Sequence, residues 1–373
     1  MIRARALSLL AVGALACAGM PAHALNEAEQ RARIAYQANE ATHVIEELGI
    51  LYGDPQLDAY LQGVTDKLYP DHRGELSIRT FKATSFNAFA MPNGKLYIHT
   101  GTLLRLKNEA ELASVLGHEG AHFTGDHIYR AVSSAKVSMP ILTILGAALG
   151  APALGQLAGV SSIMGMSRDH EREADVQGFE RMTKAGYDAN SGAETFRRLL
   201  RELDALKIKQ PLFFASHPAV SERIANFVGL ARRAAPGGVT YADEYQVQTA
   251  SARVAALDGI LHEGNGKLLV HLLEKEDLLA TLPPYCRFHL AEGFRLRNEK
   301  GDAEKSLDAY KATLAAAPDY PPTYAALGKR LMHDGDKAGA LPMLRKYLEL
   351  EPNSVEKGFI ELYVSTLEKE TAQ

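Results

Sequence analysis

The chain has 373 residues, a formal net charge of −4 and charged side chains of both signs interspersed along its length. This length is sufficient for two domains with separate cores. Because the sequence has no basic stripe that could neutralise phosphates, it argues against a nucleic-acid-binding protein.

The first 24 residues have the pattern of a cleavable signal peptide. Arg3 and Arg5 precede an apolar run, and an Ala-His-Ala tripeptide follows it in the spacing that signal peptidase recognises. We therefore predict an exported protein whose mature chain begins near Leu25. Lipidation at Cys17 is the minor alternative, because a leucine stands one place nearer the cysteine than a lipobox requires.

Two helices and a small sheet are predicted before the first chemical motif. The pattern is helical from residue 25 to about 68, and Pro55 suits the first turn of a second helix. Residues 76–84 have the pattern of a strand. Residues 87–100 have the pattern of a β-hairpin, because Asn93-Gly94 supplies the positive φ values that a tight turn needs.

A helix predicted from about residue 108 to 122 carries the motif His118-Glu119-x-x-His122. Residues four apart lie on one face of a helix, so the two imidazoles can bind one metal ion. Glu119 is turned away from the ion and can reach water bound to it, as a general base does. The alternative is a motif that only decorates a solvated helix, but Leu112 and Leu116 predict a helix that faces a core.

A tetrahedral metal site with one open position needs a third protein ligand. On a helix predicted from residue 168 to 185, Glu171 and Asp175 are four apart and share a face. Glu171 can bind the ion while Asp175 accepts a hydrogen bond from the outer nitrogen of a ligand histidine. We favour Glu171 over His170, whose offset from Asp175 breaks the shared face, and over Glu173, which points to another side of the helix.

Between these two helices, residues 137–167 contain no charged residue. A transmembrane helix is one interpretation, but two prolines and five glycines interrupt the segment, which lacks about 20 continuous strongly apolar residues. We favour two buried or membrane-surface helices, the latter in peripheral contact with a membrane.

A linker predicted near residues 234–238 divides the mature chain into domains at 25–235 and 239–373. In the second domain a 34-residue period relates Gly301-Asp302 to Gly335-Asp336. This is the period of tetratricopeptide (TPR) repeats, in which paired helices bury their apolar faces against neighbours. We predict two TPR units over residues 285–353, preceded by one or two degenerate units between 241 and 281.

The predicted fold is therefore mainly α: an α+β zincin domain with a small β-hairpin, followed by an all-α TPR solenoid. The first domain resembles the metallopeptidase family that includes the HtpX proteases and the CAAX prenyl endopeptidases, in which HExxH on one helix precedes ExxxD on a later one. The resemblance implies a zinc metalloendopeptidase with one Zn²⁺ per chain. It implies His118, His122 and Glu171 as ligands, Glu119 as general base and Asp175 as the carboxylate behind a ligand.

The resemblance also implies active-site roles for His217 and Arg223. His217 would stabilise the oxyanion or, in a resting form, fill the open metal position; the alternative is a histidine that caps a turn. Arg223 matches a family arginine near that histidine, with a surface charge as the alternative. His127 fits an extended family motif, but helical spacing puts it off the ligand face and we give it no catalytic role. Gly120 departs from the larger aliphatic residue of the family, and glycine in mid-helix costs about 1 kcal/mol.

A signal peptide, a peptidase domain and repeats in this order resemble the periplasmic branch of the family. This likeness implies a periplasmic location, protein or peptide substrates, and contact between the repeats and the outer-membrane β-barrel assembly machinery. Two other functions stay open. One is a TPR chaperone or scaffold with a dormant metal site, and the other is a membrane-embedded protease in which residues 137–167 span the bilayer.

Overall fold

A computed structural model of the chain describes residues 26–134, 167–208, 220–234 and 237–371. The chain divides into two compact units, Met1–Ala256 and Leu257–Gln373. The predicted signal peptide with Cys17, and nearly all of segment 137–167, lie outside the described residues. Within the described ranges, no helix is both long enough and apolar enough to cross a membrane.

The first unit combines helices with one small sheet, which confirms the predicted mainly α fold with a small sheet. Its helices are α1 (Glu27–Glu47), α2 (Pro55–Leu68), α3 (Thr100–Arg105), α4 (Glu109–Thr124), α5 (His127–Ser134), α6 (Arg168–Lys184), α7 (Ser191–Leu206), α8 (Val220–Ala231) and the first part of α9 (Ala242–His262), and its strands are β1 (Ser77–Phe81), β2 (Ala88–Ala90) and β3 (Lys95–His99).

Polar side chains fix where the two motif helices begin. At the start of α4, the Asn108 side chain accepts a hydrogen bond from the backbone N–H of Glu111. At the start of α6, Ser167 does the same for His170. Such caps satisfy backbone donors that have no partner inside the helix. Both helices therefore span the motifs that the sequence predicted to be helical.

The sheet has the strand order β1-β3-β2. Strands β2 and β3 form the predicted hairpin, with Ala88 opposite Ile98, and Gly94 in its turn has φ 79°. Strand β1 pairs with β3 in parallel. Strand β2 is therefore an edge strand, paired with β3 alone among the described residues, and it packs near α4.

The main core lies between the sheet and helices α2, α4, α6, α7 and α8. Leu112 and Leu116 are completely or almost completely buried, so the predicted core-facing side of α4 is confirmed. Aromatic and aliphatic side chains from the surrounding elements complete this core: Leu57, Leu61, Val64, Ile78, Leu96, Phe179, Phe196 and Phe227. The opposite side of α4 carries the motif histidines.

The second unit consists of helices, and two consecutive pairs of them are related by a shift of 34 to 36 residues. They are α10 (Gly266–Val270), α11 (Arg287–Arg297), α12 (Asp302–Ala316), α13 (Pro321–His333), α14 (Lys337–Leu350) and α15 (Lys357–Thr371). Gly301 and Gly335 occupy equivalent positions before α12 and α14, and both have φ 85°. The 34-residue period is thus a structural repeat of paired helices. Its identity as a TPR array stays a prediction.

The compact units divide inside α9, beyond the linker predicted from composition. Just after that linker, the Val239 backbone bonds with Gly186 and Asp188. Further along, the buried Tyr245 hydroxyl donates to the Leu103 carbonyl at 2.6 Å. The first part of α9 therefore packs with the first unit, because Gly and Pro mark where the chain turns and not where packing ends.

Candidate metal centre

Three of the predicted side chains converge at one point in the first unit. The Nε2 atoms of His118 and His122 lie 3.0 Å apart. Glu171 reaches both, with Oε2 3.5 Å from His118 Nε2 and Oε1 3.4 Å from His122 Nε2. All three side chains are buried, and among the described residues they form the group that could hold a metal ion.

These spacings fit a metal ion at the centre of the group. Ligand atoms about 2.0–2.2 Å from zinc and at tetrahedral angles to one another are about 3.3–3.6 Å apart. The observed separations of 3.0, 3.4 and 3.5 Å lie close to that range. Two imidazoles and one carboxylate are also the donor set of many catalytic zinc sites.

Two glycines let the two motif helices approach closely enough for this convergence. A methyl group added to Gly178 would lie 2.7 Å from the backbone nitrogen of His118, and one added to Gly117 would lie 2.9 Å from the Gly178 carbonyl oxygen. Helices α4 and α6 therefore cross with their backbones in contact. This crossing places Glu171, which lies on the side of α6 that faces α4, next to the two imidazoles of α4.

Behind His118 lies a buried ion pair between Asp175 and Arg223. Asp175 Oδ1 is 3.0 Å from His118 Nδ1, and Arg223 donates to the same oxygen from Nε at 2.9 Å. Burial raises the pKa of Asp175, but the Arg223 guanidinium and the His118 imidazole outweigh it and hold this pKa below its usual value. The ionised carboxylate accepts the Nδ1 proton of His118, so the Nε2 lone pair faces the metal position.

Arg223 lies between the two carboxylates of the site. Its Nη1 is 3.7 Å from Glu171 Oε2, and its guanidinium stacks 4.3 Å from the centre of the Phe196 ring. Nη2 lies 2.9 Å from His118 Nδ1, but this contact is not a hydrogen bond, because arginine has no acceptor and His118 donates its Nδ1 proton to Asp175. Arg223 is buried and therefore is not the surface charge considered as the alternative.

A second chain of contacts lies behind His122, and the sequence did not reveal it. Helix α4 ends at Thr124, and Asp126 with φ 57° turns the chain so that α5 begins at His127. His127 Nδ1 lies 3.0 Å from His122 Nδ1, and His127 Nε2 lies 3.1 Å from Glu173. A proton on His122 Nδ1, directed at the Nδ1 lone pair of His127, leaves the Nε2 lone pair of His122 facing the metal position.

The rival third ligand, His170, has a different place. Its ring stacks on His127, with centroids 4.6 Å apart and an interplanar angle of 8°. It does not belong to the group of converging ligand atoms found among the described residues. Glu173 likewise points away from that group, as predicted from its position on the helix, but it contacts the His127 ring.

Glu119 and Gly120 occupy the same buried turn of α4. Glu119 is 1% exposed, so its carboxylate is buried and does not lie on a solvated helix surface. A side chain at Gly120 would collide with the ring of Tyr69, whose hydroxyl donates to the Gly117 carbonyl. The tyrosine ring thus fills the space that a larger aliphatic residue at position 120 would take. His217, in contrast, lies outside the described residues, and its role stays a prediction.

The pKa of His118 predicts how metal binding depends on pH. Burial and the Arg223 charge lower this pKa, but Asp175 and Glu171 outweigh them and raise it from 6.5 to about 9. Because a metal ligand must be unprotonated, a cation has to displace this proton below about pH 9. We expect the apparent Kd for Zn²⁺ to rise as pH falls from 9 to 6, approaching about tenfold per pH unit.

The same pKa has the opposite effect on the metal-free protein. A folded-state pKa above the unfolded value stabilises the protein below about pH 6.5, and this stabilisation is lost as pH rises through about 9. Chelator competition at several pH values measures the affinity, and thermal unfolding without metal measures the stability. An affinity that does not change between pH 7 and 9 would contradict the raised pKa.

Comparison with known proteins agrees with this site. The sequence model of peptidase family M48 matches residues 53–231, which contain every described residue of the centre. The chain is 31% identical over 219 residues to a putative beta-barrel assembly-enhancing protease of Vibrio cholerae, covering 54% of this chain and 44% of that protein.

Two further relatives broaden the comparison. The beta-barrel assembly-enhancing protease of Escherichia coli K12 is 27% identical over 244 residues, which cover 60% of this chain and 48% of that protein. The mitochondrial metalloendopeptidase OMA1 of Saccharomyces cerevisiae is 29% identical over 184 residues, which cover 47% and 50% of the two chains. The chain spans about half the length of the curated relatives it matches. Residues 53–231 thus match the model of peptidase family M48, and this part of the chain is similar to metallopeptidases.

Proposed function

We propose that the chain is an exported zinc metalloendopeptidase that cleaves periplasmic or outer-membrane protein precursors and uses TPR-type repeats to bind partners or substrates. The observation that carries the proposal is the convergence of His118, His122 and Glu171 within one buried site beside Glu119. His118, His122 and Glu171 would hold the zinc ion, which would supply a Lewis acid for the scissile carbonyl and for water. The donor set of two imidazoles and one carboxylate favours zinc over magnesium or calcium, which prefer oxygen ligands.

The residues of the chain supply positioning and proton transfer. The Glu119 carboxylate takes a proton from the attacking water and delivers it to the leaving amine. Asp175 and His127 keep the outer nitrogens of His118 and His122 occupied, so that both imidazoles keep one tautomer and one orientation. The edge of β2 that no other described strand covers would offer backbone groups to an extended substrate, which would add as a further strand.

The location and the partners of the protein are part of the proposal. The signal-peptide pattern of residues 1–24 supports export to the periplasm. Two of the relatives are named for enhancing β-barrel assembly, which supports unfolded or incompletely assembled outer-membrane proteins as substrates. The same names support contact between the repeats and the machinery that assembles those barrels.

A scaffold or chaperone with a dormant metal site is the second candidate, and a groove in the second unit favours it. This groove of about 910 Å³ runs along α11, α13 and the ends of neighbouring helices. Apolar, basic and acidic side chains line it, including Phe288, Ala326, Tyr347, Lys329 and Glu292. A concave surface between helical repeats suits an extended polypeptide, whether or not the first unit cleaves it.

Removal of the metal separates the two candidates. We expect the purified chain to contain one Zn²⁺ and to cleave casein or an unfolded β-barrel precursor. Treatment with a chelator should abolish cleavage, and one equivalent of Zn²⁺ should restore it. Elemental analysis and gel-based cleavage measure both effects. Binding of the precursor without any cleavage by the zinc-loaded protein would favour the scaffold.

A further inference from the structure

A small pocket opens beside the metal ligand His122. It has a volume of about 150 Å³ and lies between α1, the end of the β-hairpin and the turn from α4 to α5. Its walls are mostly apolar: Ile34, Ala35, Pro92, Phe123, Ile128 and Tyr129. Arg31 and Asp126, both about half-exposed, lie at its mouth, whereas His122 is 1% exposed at its inner end.

Helix α1 forms the roof of this pocket. Its buried residues Ile34, Ala38 and Ile45 pack against Phe81 and Tyr97 of the sheet, which fixes the helix over the site. The Arg31–Asp126 ion pair of 2.9 Å adds a contact at the mouth, but an exposed pair of this kind contributes little stability. The family match begins at residue 53, so the roof lies outside the matched residues.

The pocket has the position of a substrate subsite. Strand β2 ends at Ala90, and Pro92, which follows it, lines the pocket. A polypeptide added along the edge of β2 would therefore pass the mouth of the pocket while its backbone lies near the metal position. We propose that the pocket binds an apolar side chain of the substrate within one or two residues of the scissile bond. This inference rests on the proposed peptidase function.

The size and the lining of the pocket define the side chain that it accepts. An apolar cavity of about 150 Å³ holds a group the size of benzene, so leucine, methionine and phenylalanine fit while tryptophan does not. Charged and amide side chains are disfavoured in the apolar part of the pocket, because they would lose their hydration there and the two charges at the mouth already pair with each other. The pocket thus favours cleavage next to medium-sized apolar residues.

Filling the pocket tests the proposal. We expect Ala35→Phe, which extends a ring from α1 into the pocket, to reduce kcat/KM for peptides with leucine or phenylalanine at the preferred position by about 10- to 200-fold relative to alanine peptides. The exposed Ala32 lies on the same helix outside the pocket, so Ala32→Phe is the matched control. Mass spectrometry of a digested peptide library gives the cleavage preferences. The thermal midpoint and zinc content show whether each variant folds, and Ala35→Leu is the smaller alternative.

Binding provides a readout that does not depend on turnover. In the zinc-loaded Glu119→Gln background, we expect a leucine-containing peptide to bind more tightly than its alanine counterpart, and Ala35→Phe to remove this difference. If the wild type cleaves peptides and Ala35→Phe has the same cleavage preferences, the proposed subsite is wrong while the peptidase function stands. The absence of cleavage by the zinc-loaded wild type would overturn the peptidase function, and the binding comparison would then decide the pocket alone.

Discussion

Replacing Glu119 with glutamine is expected to abolish measurable peptide cleavage while zinc stays bound. The side chain keeps its size but loses its basicity, and a positioned general base contributes about 10²- to 10⁴-fold to the rate. Glu119 does not belong to the converging ligand atoms, so the zinc content should stay at one per chain. Steady-state cleavage of an unfolded precursor, elemental analysis and thermal unfolding measure the three quantities.

The control for this variant is Glu180→Gln, which makes the same chemical change at an exposed position of α6. It should leave cleavage, zinc content and the thermal midpoint as in the wild type. Full activity of Glu119→Gln would remove the glutamate from the mechanism. A loss of zinc together with activity would instead mean that Glu119 supports the ligands and does not act as the base.

Replacing Arg223 with methionine is expected to destabilise the metal-free protein strongly. The change removes the guanidinium from the buried carboxylates of Asp175 and Glu171 and leaves the protonated His118 to balance both, and breaking a buried pair in this way typically costs about 3–5 kcal/mol. A bound metal ion returns positive charge to Glu171 and, through His118, to Asp175. The loss of unfolding free energy should therefore be smaller in the zinc-loaded protein. Urea unfolding with and without zinc measures this difference.

Arg172→Met is the matched control, because Arg172 forms a half-exposed ion pair with Glu222. An exposed pair contributes about 1 kcal/mol at most, and this contribution should not depend on zinc. If Arg223→Met kept full stability in both states and lost only activity, Arg223 would act on the substrate and not on the carboxylates. That outcome would return it to the catalytic role implied by the family resemblance.

Helical spacing was sufficient to predict the features of the site that depend on residues four apart along one helix. The four-residue spacings of His118 and His122, and of Glu171 and Asp175, specify shared faces wherever those helices pack. The Asn93-Gly94 turn specifies the hairpin for the same local reason. The sequence therefore predicted which side chains converge, although residues 123–170 separate the two motifs.

Contacts that depend on a break in helical periodicity were not predictable in this way. The spacing of five residues puts His127 off the ligand face only if α4 continues, and the left-handed Asp126 ends that continuation. The close crossing at Gly117 and Gly178 is also a property of two helices together. Neither glycine differs, in sequence alone, from one that merely weakens a helix.

The backbone crossing of α4 and α6 has a consequence for how a metal ion enters. Main-chain atoms in van der Waals contact cannot move closer, and the surrounding core resists their separation. The imidazole pair and the carboxylate thus face each other across a gap whose width is set before any ion arrives. Metal binding then requires displacement of a proton but little ordering of the polypeptide. The free energy of binding is therefore not reduced by the cost of forming the site.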